Sequence, residues 1–251
     1  MPEVASEHPR RITYGDDPSQ FADLYLPVDT TTSLPVVVLI HGGFWRAQYG
    51  LDLMVPLAQD LIARGYAVLN IEYRRVGSGG GYPETLEDVA AAIDVLPAQS
   101  VALDLDNVVF IGHSAGGHLS LWAAGRSALP AGAPGADPLV VPRLAIGLGP
   151  VFDLAAADAA GVGSGAVTGF MGGSAADLPA EYAIATPSTT AGVSLAVVRG
   201  VLDDIVPASF AVPTPIGDVT VVDIDGEDHF DLINPASKSW AAVIELLSET
   251  R

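Results

Sequence analysis

Residues 107–117 read Asn-Val-Val-Phe-Ile-Gly-His-Ser-Ala-Gly-Gly, an apolar run passing straight into Gly-x-Ser-x-Gly and then a helix-compatible stretch. A serine hydroxyl is a poor nucleophile until a base takes its proton, and a fold that uses one presents it on a sharp turn clear of its neighbours. Ser114 has that setting, because Gly112 and Gly116 spare the turn the Cβ atoms that would crowd it. The same glycines also suit a chemically silent strand-to-helix turn, so the candidate rests on its partners. The chain has five histidines. His8 lies in the polar N-terminal segment, His41 and His113 sit within other turns, and His118 falls in the helix after Ser114. His229 remains, in Asp225-Gly226-Glu227-Asp228-His229-Phe230 beyond the apolar run Val219–Ile224. It is the candidate base that takes the hydroxyl proton and returns it to the leaving group.

An imidazole in that role needs a carboxylate on its other nitrogen to fix the tautomer and balance the charge. Asp203 follows the run Leu195–Val198 through Arg199-Gly200-Val201-Leu202 and is the first candidate, with Asp204 its neighbour and competitor. Either also suits a solvated turn. Asp225, Asp228 and Asp231 lie too near His229 in sequence to serve. Acyl transfer also develops an oxyanion, which donors fixed in advance stabilise. The run Val36–Ile40 leads into His41-Gly42-Gly43-Phe44-Trp45, where glycine lets a carbonyl approach the backbone. The candidate donors are the N–H groups of Gly43 and Phe44, joined by that of Ala115 at the positive end of the elbow helix. Trp45 is read as a wall of the substrate pocket, with the core as the alternative.

These residues require a scaffold of alternating strands and helices. Leu34–Ile40 and 66–71 read as buried strands, and Leu51–Arg64 carries apolar residues at helical spacing before Gly65. Pro83 opens a helix through Leu96, with Glu84 and Glu87 favourable in its first turn. Three further strands are expected at Leu144–Leu148, Leu195–Val198 and Val219–Ile224, and a closing helix at Ala236–Leu247. Continuous apolar strands alternating with helices predict an α/β fold, a mainly parallel sheet covered on both faces. Residues 125–138 read as plain loop. Between 150 and 187 the pattern weakens and Gly161, Gly163, Gly165, Gly169, Gly172 and Gly173 accumulate, which suits either a lid over the site or a surface excursion.

At 251 residues and 49% hydrophobic the chain can bury a substantial core, and one domain over 1–251 is expected. With no cysteine, neither disulfides nor thiolate metal sites are available. His113 and His118 are poorly spaced for chelation, and no metal or other cofactor is expected. The glycine run at 77–81 lacks the register and lysine of a phosphate loop. A net charge of −19, from 30 acidic against 11 basic residues, disfavours nucleic acid and anionic membranes as partners. The polar residues 1–14 hold no apolar signal core and no later run is long enough to span a bilayer, so a cytoplasmic location is expected.

Together, His41-Gly42-Gly43-Phe44-Trp45, Gly112-His113-Ser114-Ala115-Gly116-Gly117-His118, Gly200-Val201-Leu202-Asp203-Asp204-Ile205-Val206-Pro207 and Asp228-His229-Phe230 resemble the α/β-hydrolase superfamily. Within it the chain is most similar to the esterase and arylformamidase (kynurenine formamidase) branch related to hormone-sensitive lipases. Tyr82-Pro83-Glu84 before a helix fits as well, and Phe44-Trp45 replaces the third glycine of the commoner His-Gly-Gly-Gly form. The resemblance implies the chain order Ser114, Asp203, His229. It also implies hydrolysis of small acyl esters or N-formyl aryl amides through an acyl-enzyme, without a metal. The alternative from another class is a non-catalytic binding protein or receptor that keeps the shape.

Overall fold

The computed structural model describes residues 9–28, 32–188, 191–213 and 218–249. The frame is an eight-stranded sheet in the order β1-β2-β4-β3-β5-β6-β7-β8. Its strands are β1 (Arg10–Thr13), β2 (Phe21–Tyr25), β3 (Leu34–Ile40), β4 (Ala67–Ile71), β5 (Leu103–His113), β6 (Leu144–Leu148), β7 (Ser194–Gly200) and β8 (Val219–Ile224). From β4 to β8 neighbouring strands are parallel, whereas β1 pairs β2 and β2 pairs β4 antiparallel. The helices are α1 (Val55–Ala63), α2 (Glu84–Ile93), α3 (Ala115–Ala124), α4 (Leu154–Ala159), α5 (Ala166–Met171), α6 (Pro179–Ala185) and α7 (Lys238–Glu249).

The continuous apolar strands have a direct explanation in the packing. Along β3, Val36, Val38 and Ile40 enter one core with α2 and α3, while Val37 and Leu39 enter a second core with α1 and α7. Both faces of the central strands are therefore dry, and a polar alternation has no place there. The chain leaves β3 for β4 on one side and crosses to β5 on the other, so the strand order reverses between β3 and β5. Loops leaving those two strand ends diverge and open a crevice at the carboxyl edge of the sheet. His41–Trp45 and Ser114 sit at those two ends.

Several bounds differ from the sequence expectation for physical reasons. β5 begins at Leu103, ahead of the apolar stretch, and its register against β3 jumps between Pro35 and Val36, which pair Asp104 and Val108. The helix expected through Leu96 ends at Ile93, and a 3-10 turn over Leu96–Ala98 follows. α7 starts at Lys238 because the distant Glu227 carboxylate accepts the N–H groups of Lys238 and Ser239, and Ser237 Oγ accepts that of Trp240. The stretch 150–187 carries three short helices. Asp153 caps α4 through the Ala156 N–H, Gly165 and Gly172 flank α5 in left-handed conformation, and Pro179 opens α6. α6 is pinned from below: His118 Nε2 donates to Ala185 O at 2.8 Å and Trp122 Nε1 to Ile184 O at 3.0 Å. Those two donors lie four residues apart, on one face of α3, and satisfy carbonyls that the helix end leaves open. No described helix is long and apolar enough to cross a membrane.

Candidate active site

Ser114 stands between β5 and α3 with φ 55° and ψ −120°, a conformation a non-glycine residue rarely adopts and one that costs about 1–3 kcal/mol. Surrounding contacts impose it. Its N–H donates to Leu148 O at 2.8 Å and its carbonyl accepts from His118 N at 3.0 Å. The flanking glycines leave no alternative, since a Cβ on Gly112 would lie 1.9 Å from Gly116 O, and one on Gly116 would lie 2.1 Å from Ile40 O. The elbow is thus wedged against the end of β3.

His229 follows β8 in a turn shaped by Asp228, whose Oδ1 accepts the N–H groups of Phe230 (2.8 Å) and Asp231 (3.2 Å). Asp228 is therefore a turn former. His229 Nδ1 lies 2.7 Å from Asp203 Oδ2. The neighbouring candidate, Asp204, is exposed and turned away, so the structure separates the two acids. Asp203 Oδ1 accepts the amides of Ile205 and Val206, each at 2.9 Å. Burial disfavours this carboxylate, but the His229 hydrogen bond and the Val206 and Ile205 amides outweigh it and hold its pKa below the ordinary value. Ser114 and His229 face one cavity. Among the described residues no hydrogen bond engages His229 Nε2, which leaves that nitrogen to the cavity.

The third strand end supplies backbone donors. Gly43, Phe44 and Trp45 all take positive φ (111°, 57° and 54°), a turn closed by Arg46 N–H to Gly43 O at 3.0 Å. Among the described residues no acceptor takes the N–H of Gly43 or Phe44, and Ala115 opens α3, where amides lack intrahelical partners. Gly42 presses on the elbow: a Cβ there would meet His113 O at 2.6 Å and Ser114 Cβ at 2.9 Å. Trp45 is 1% exposed and stacks on Phe170 at 4.8 Å, so most of it belongs to the core, although it also lines a small cavity beside Ser114. Arg46 reaches across and donates to Gly163 O at 3.1 Å.

Three supports, Glu72, His113 and Gly149, have roles that the motifs did not show. Glu72, 5% exposed, accepts from His41 Nε2 at 2.9 Å and from the amides of Tyr73 (2.9 Å) and Leu51 (3.1 Å). Despite burial, the His41 and Arg75 contacts and the Tyr73 amide hold its pKa below the ordinary carboxylate value. His41 Nδ1 lies 2.8 Å from Gly42 O and its ring stacks on Tyr73. His113 Nε2 donates to His229 O at 3.0 Å, tying the elbow to the His229 turn, and burial drives its pKa down to about 3. Gly149, with φ 52°, backs the pair: a Cβ would lie 2.9 Å from Asp203 Oδ2 and 3.2 Å from His229 Nδ1. Only the Gly147-Leu148-Gly149-Pro150 turn after β6 hinted at it. Among the described residues no three His, Asp or Glu side chains gather to hold a metal ion.

The backbone compares closely with solved esterases. It superposes on a truncated carbohydrate esterase from gut microbiota with TM-score 0.80 at 18% identity, covering 100% of this chain and 98% of that one. Esterase B from Lactobacillus rhamnosis gives TM-score 0.77 at 24% identity, over 99% and 88%. The BD-FAE family model matches residues 22–131. The chain has the α/β-hydrolase fold. Among curated relatives, this chain is 37% identical over 123 residues to Esterase LipC of Mycobacterium tuberculosis, covering 46% of this chain and 29% of that protein. It is 27% identical over 109 residues to the kynurenine formamidase of Danio rerio, covering 43% and 36%. The chain thus spans about a third of the length of these curated relatives. The BD-FAE match takes in His41–Trp45 and Ser114 and ends before Asp203 and His229.

Proposed function

We propose that this α/β-hydrolase is a serine esterase or arylformamidase that cleaves small carboxylic esters or N-formyl aryl amides through an acyl-enzyme. The observation that carries the reading is the 2.7 Å Asp203–His229 contact behind a cavity that His229 shares with Ser114. His229 Nε2 takes the hydroxyl proton as Ser114 Oγ bonds to the acyl carbon, and the carbonyl electrons move onto oxygen. The N–H groups of Gly43, Phe44 and Ala115 receive that oxyanion, each such donor being worth about 10²–10³ in turnover. The carbonyl re-forms, the bond to the leaving oxygen or nitrogen breaks, and the imidazolium protonates the departing atom. Water, activated by the same imidazole, then releases the acid. Asp203 holds the ring in the tautomer this needs.

Residues 150–187 act as the cover of the site, since Val162, Ala166 and Val167 line the small cavity beside Ser114. The similarity to an esterase and to a kynurenine formamidase supports the two substrate classes. A chromogenic acyl ester tests the proposal: Ser114→Ala is expected to lower kcat by about 10⁵-fold or more. Equal hydrolysis by variant and wild type rules Ser114 out as nucleophile. An N-formyl aryl amine left intact while esters turn over removes the formamidase half.

A further inference from the structure

Two separate spaces meet at Ser114, and their linings assign the two halves of a substrate. The first is lined by His229, His113, Tyr49, Leu53, Ile205 and Phe230. The second is lined by Trp45, Val151, Val162, Val167 and Val206, with Ala115 at its base. Ser114 and Phe44 alone line both. Phe44 is therefore the partition, and the nucleophile stands at its foot.

Chemistry fixes which half goes where, given the hydrolase reading above, on which this inference rests. The tetrahedral carbon on Ser114 Oγ carries an oxyanion, an acyl substituent and a leaving group. The oxyanion takes the backbone donors. The leaving atom must receive the proton held on His229, so the leaving group lies on the His229 side. The acyl substituent is left with the second space, which His229 does not line. That space offers room of about 10 Å³, about enough for a single water. A methyl group fills it. The His229 side offers about 70 Å³ and opens between Tyr49, 38% exposed, and Phe230, 65% exposed. Exposed aromatic faces at a pocket mouth suit a flat, apolar group that extends outward.

We infer that the site is selective for formyl or acetyl groups carried on a larger aryl or apolar leaving group. Val162 and Val167, from the segment over the site, set the acyl limit together with Val206. Any longer acyl chain must displace Val167, which is 1% exposed and part of a close-packed wall.

The experiment is a matrix of 4-nitrophenyl acetate, butyrate and hexanoate against wild type, Val167→Ala and Val206→Ala, with methyl acetate as the small-alcohol control. In wild type kcat/KM is expected to fall by about 10-fold or more for each of the first methylenes added, the discrimination an apolar pocket can supply. Val167→Ala is expected to raise the butyrate-to-acetate ratio about 10-fold, with Val206→Ala as the second probe if the first does not fold. Phe230→Ala is expected to raise KM about 10-fold more for the aryl acetate than for methyl acetate. Hexanoate turned over as fast as acetate by wild type overturns the inference. So does a Val167→Ala enzyme that changes its choice among alcohols while keeping its acyl preference, because the halves are then reversed. Both outcomes leave the hydrolase reading standing as long as turnover requires Ser114. Absence of Ser114-dependent turnover on every ester removes that reading itself.

Discussion

His41 and His229 each face a buried carboxylate at hydrogen-bond distance, 2.9 Å to Glu72 and 2.7 Å to Asp203. What differs is the other nitrogen. At His41 it lies 2.8 Å from Gly42 O, Tyr73 covers the ring face, and Tyr73 Oη donates to the His41 carbonyl at 2.7 Å. Glu72 is saturated as well, by Leu51 N, Tyr73 N and Arg75 Nη1. At His229 the carboxylate is equally well held, yet the ring's far side opens on the cavity beside Ser114. The same chemical pair thus braces a backbone loop where both nitrogens are engaged, and in the proposed mechanism moves a proton where one is left free.

Breaking each pair should give opposite signatures. Asp203→Asn keeps an oxygen for the Ile205 and Val206 amides but presents an N–H to His229 Nδ1, forcing the wrong tautomer. Ester turnover is expected to drop by about 10⁴-fold in kcat with little change in melting temperature; a drop below tenfold breaks the comparison. Glu72→Ala removes the partner of a buried ring and several buried amides. Denaturant unfolding is expected to show a loss of about 3–5 kcal/mol, while kcat of the folded protein falls by about tenfold or less. A loss of activity as large as that of Asp203→Asn would show that both pairs serve the chemistry directly.

The smallest effect sharpens the picture through the two histidines that flank Ser114. Burial lowers His113 from an ordinary 6.5 to about 3, and His118 to about 4. Below pH 6.5 the unfolded chain therefore takes up protons that the folded chain refuses, and stability falls as pH is lowered. Between pH 7.5 and 5 each histidine is expected to cost about 2 kcal/mol, the slope approaching 1.36 kcal/mol per pH unit below 6.5. Asp203 acts only at lower pH, its contribution disappearing as pH falls through its depressed folded pKa. Urea unfolding at pH 7.5 and 5 measures the slope, and His118→Leu is expected to remove about half of it. A flat profile would mean that these rings take up protons as readily in the native protein as in the unfolded chain.

The central strands and their carboxyl-end turns were legible because burial on both faces writes itself as unbroken apolar runs. Asp203 was separable from Asp204 only by geometry, since adjacent acids in a turn look alike in one dimension. β1 and β2 left no such mark. Arg10–Thr13 and Phe21–Tyr25 are short and carry Arg11 and Asp23, whose cross-strand pair at 2.8 Å belongs to an antiparallel edge. Glu72 escaped because a single glutamate after a strand reads as surface, and its burial depends on amides and a ring supplied by remote segments. The glycine-rich stretch hid three helices, because their short apolar faces join the core built with α2 and α3, and His118 and Trp122 of α3 hold the end of α6, contacts that no local periodicity encodes.

The Arg46 hydrogen bond to Gly163 has a mechanical consequence. Arg46 lies next to the Phe44–Trp45 turn, and a Cβ on Gly163 would fall 2.7 Å from the Phe44 ring, so the 150–187 stretch and the turn that carries the proposed oxyanion donors share one strap. Lifting that stretch to admit a bulky guest would slacken the amide that greets the developing charge. In the proposed mechanism entry and reactivity are thereby geared together, and a gaping site would also be a dull one.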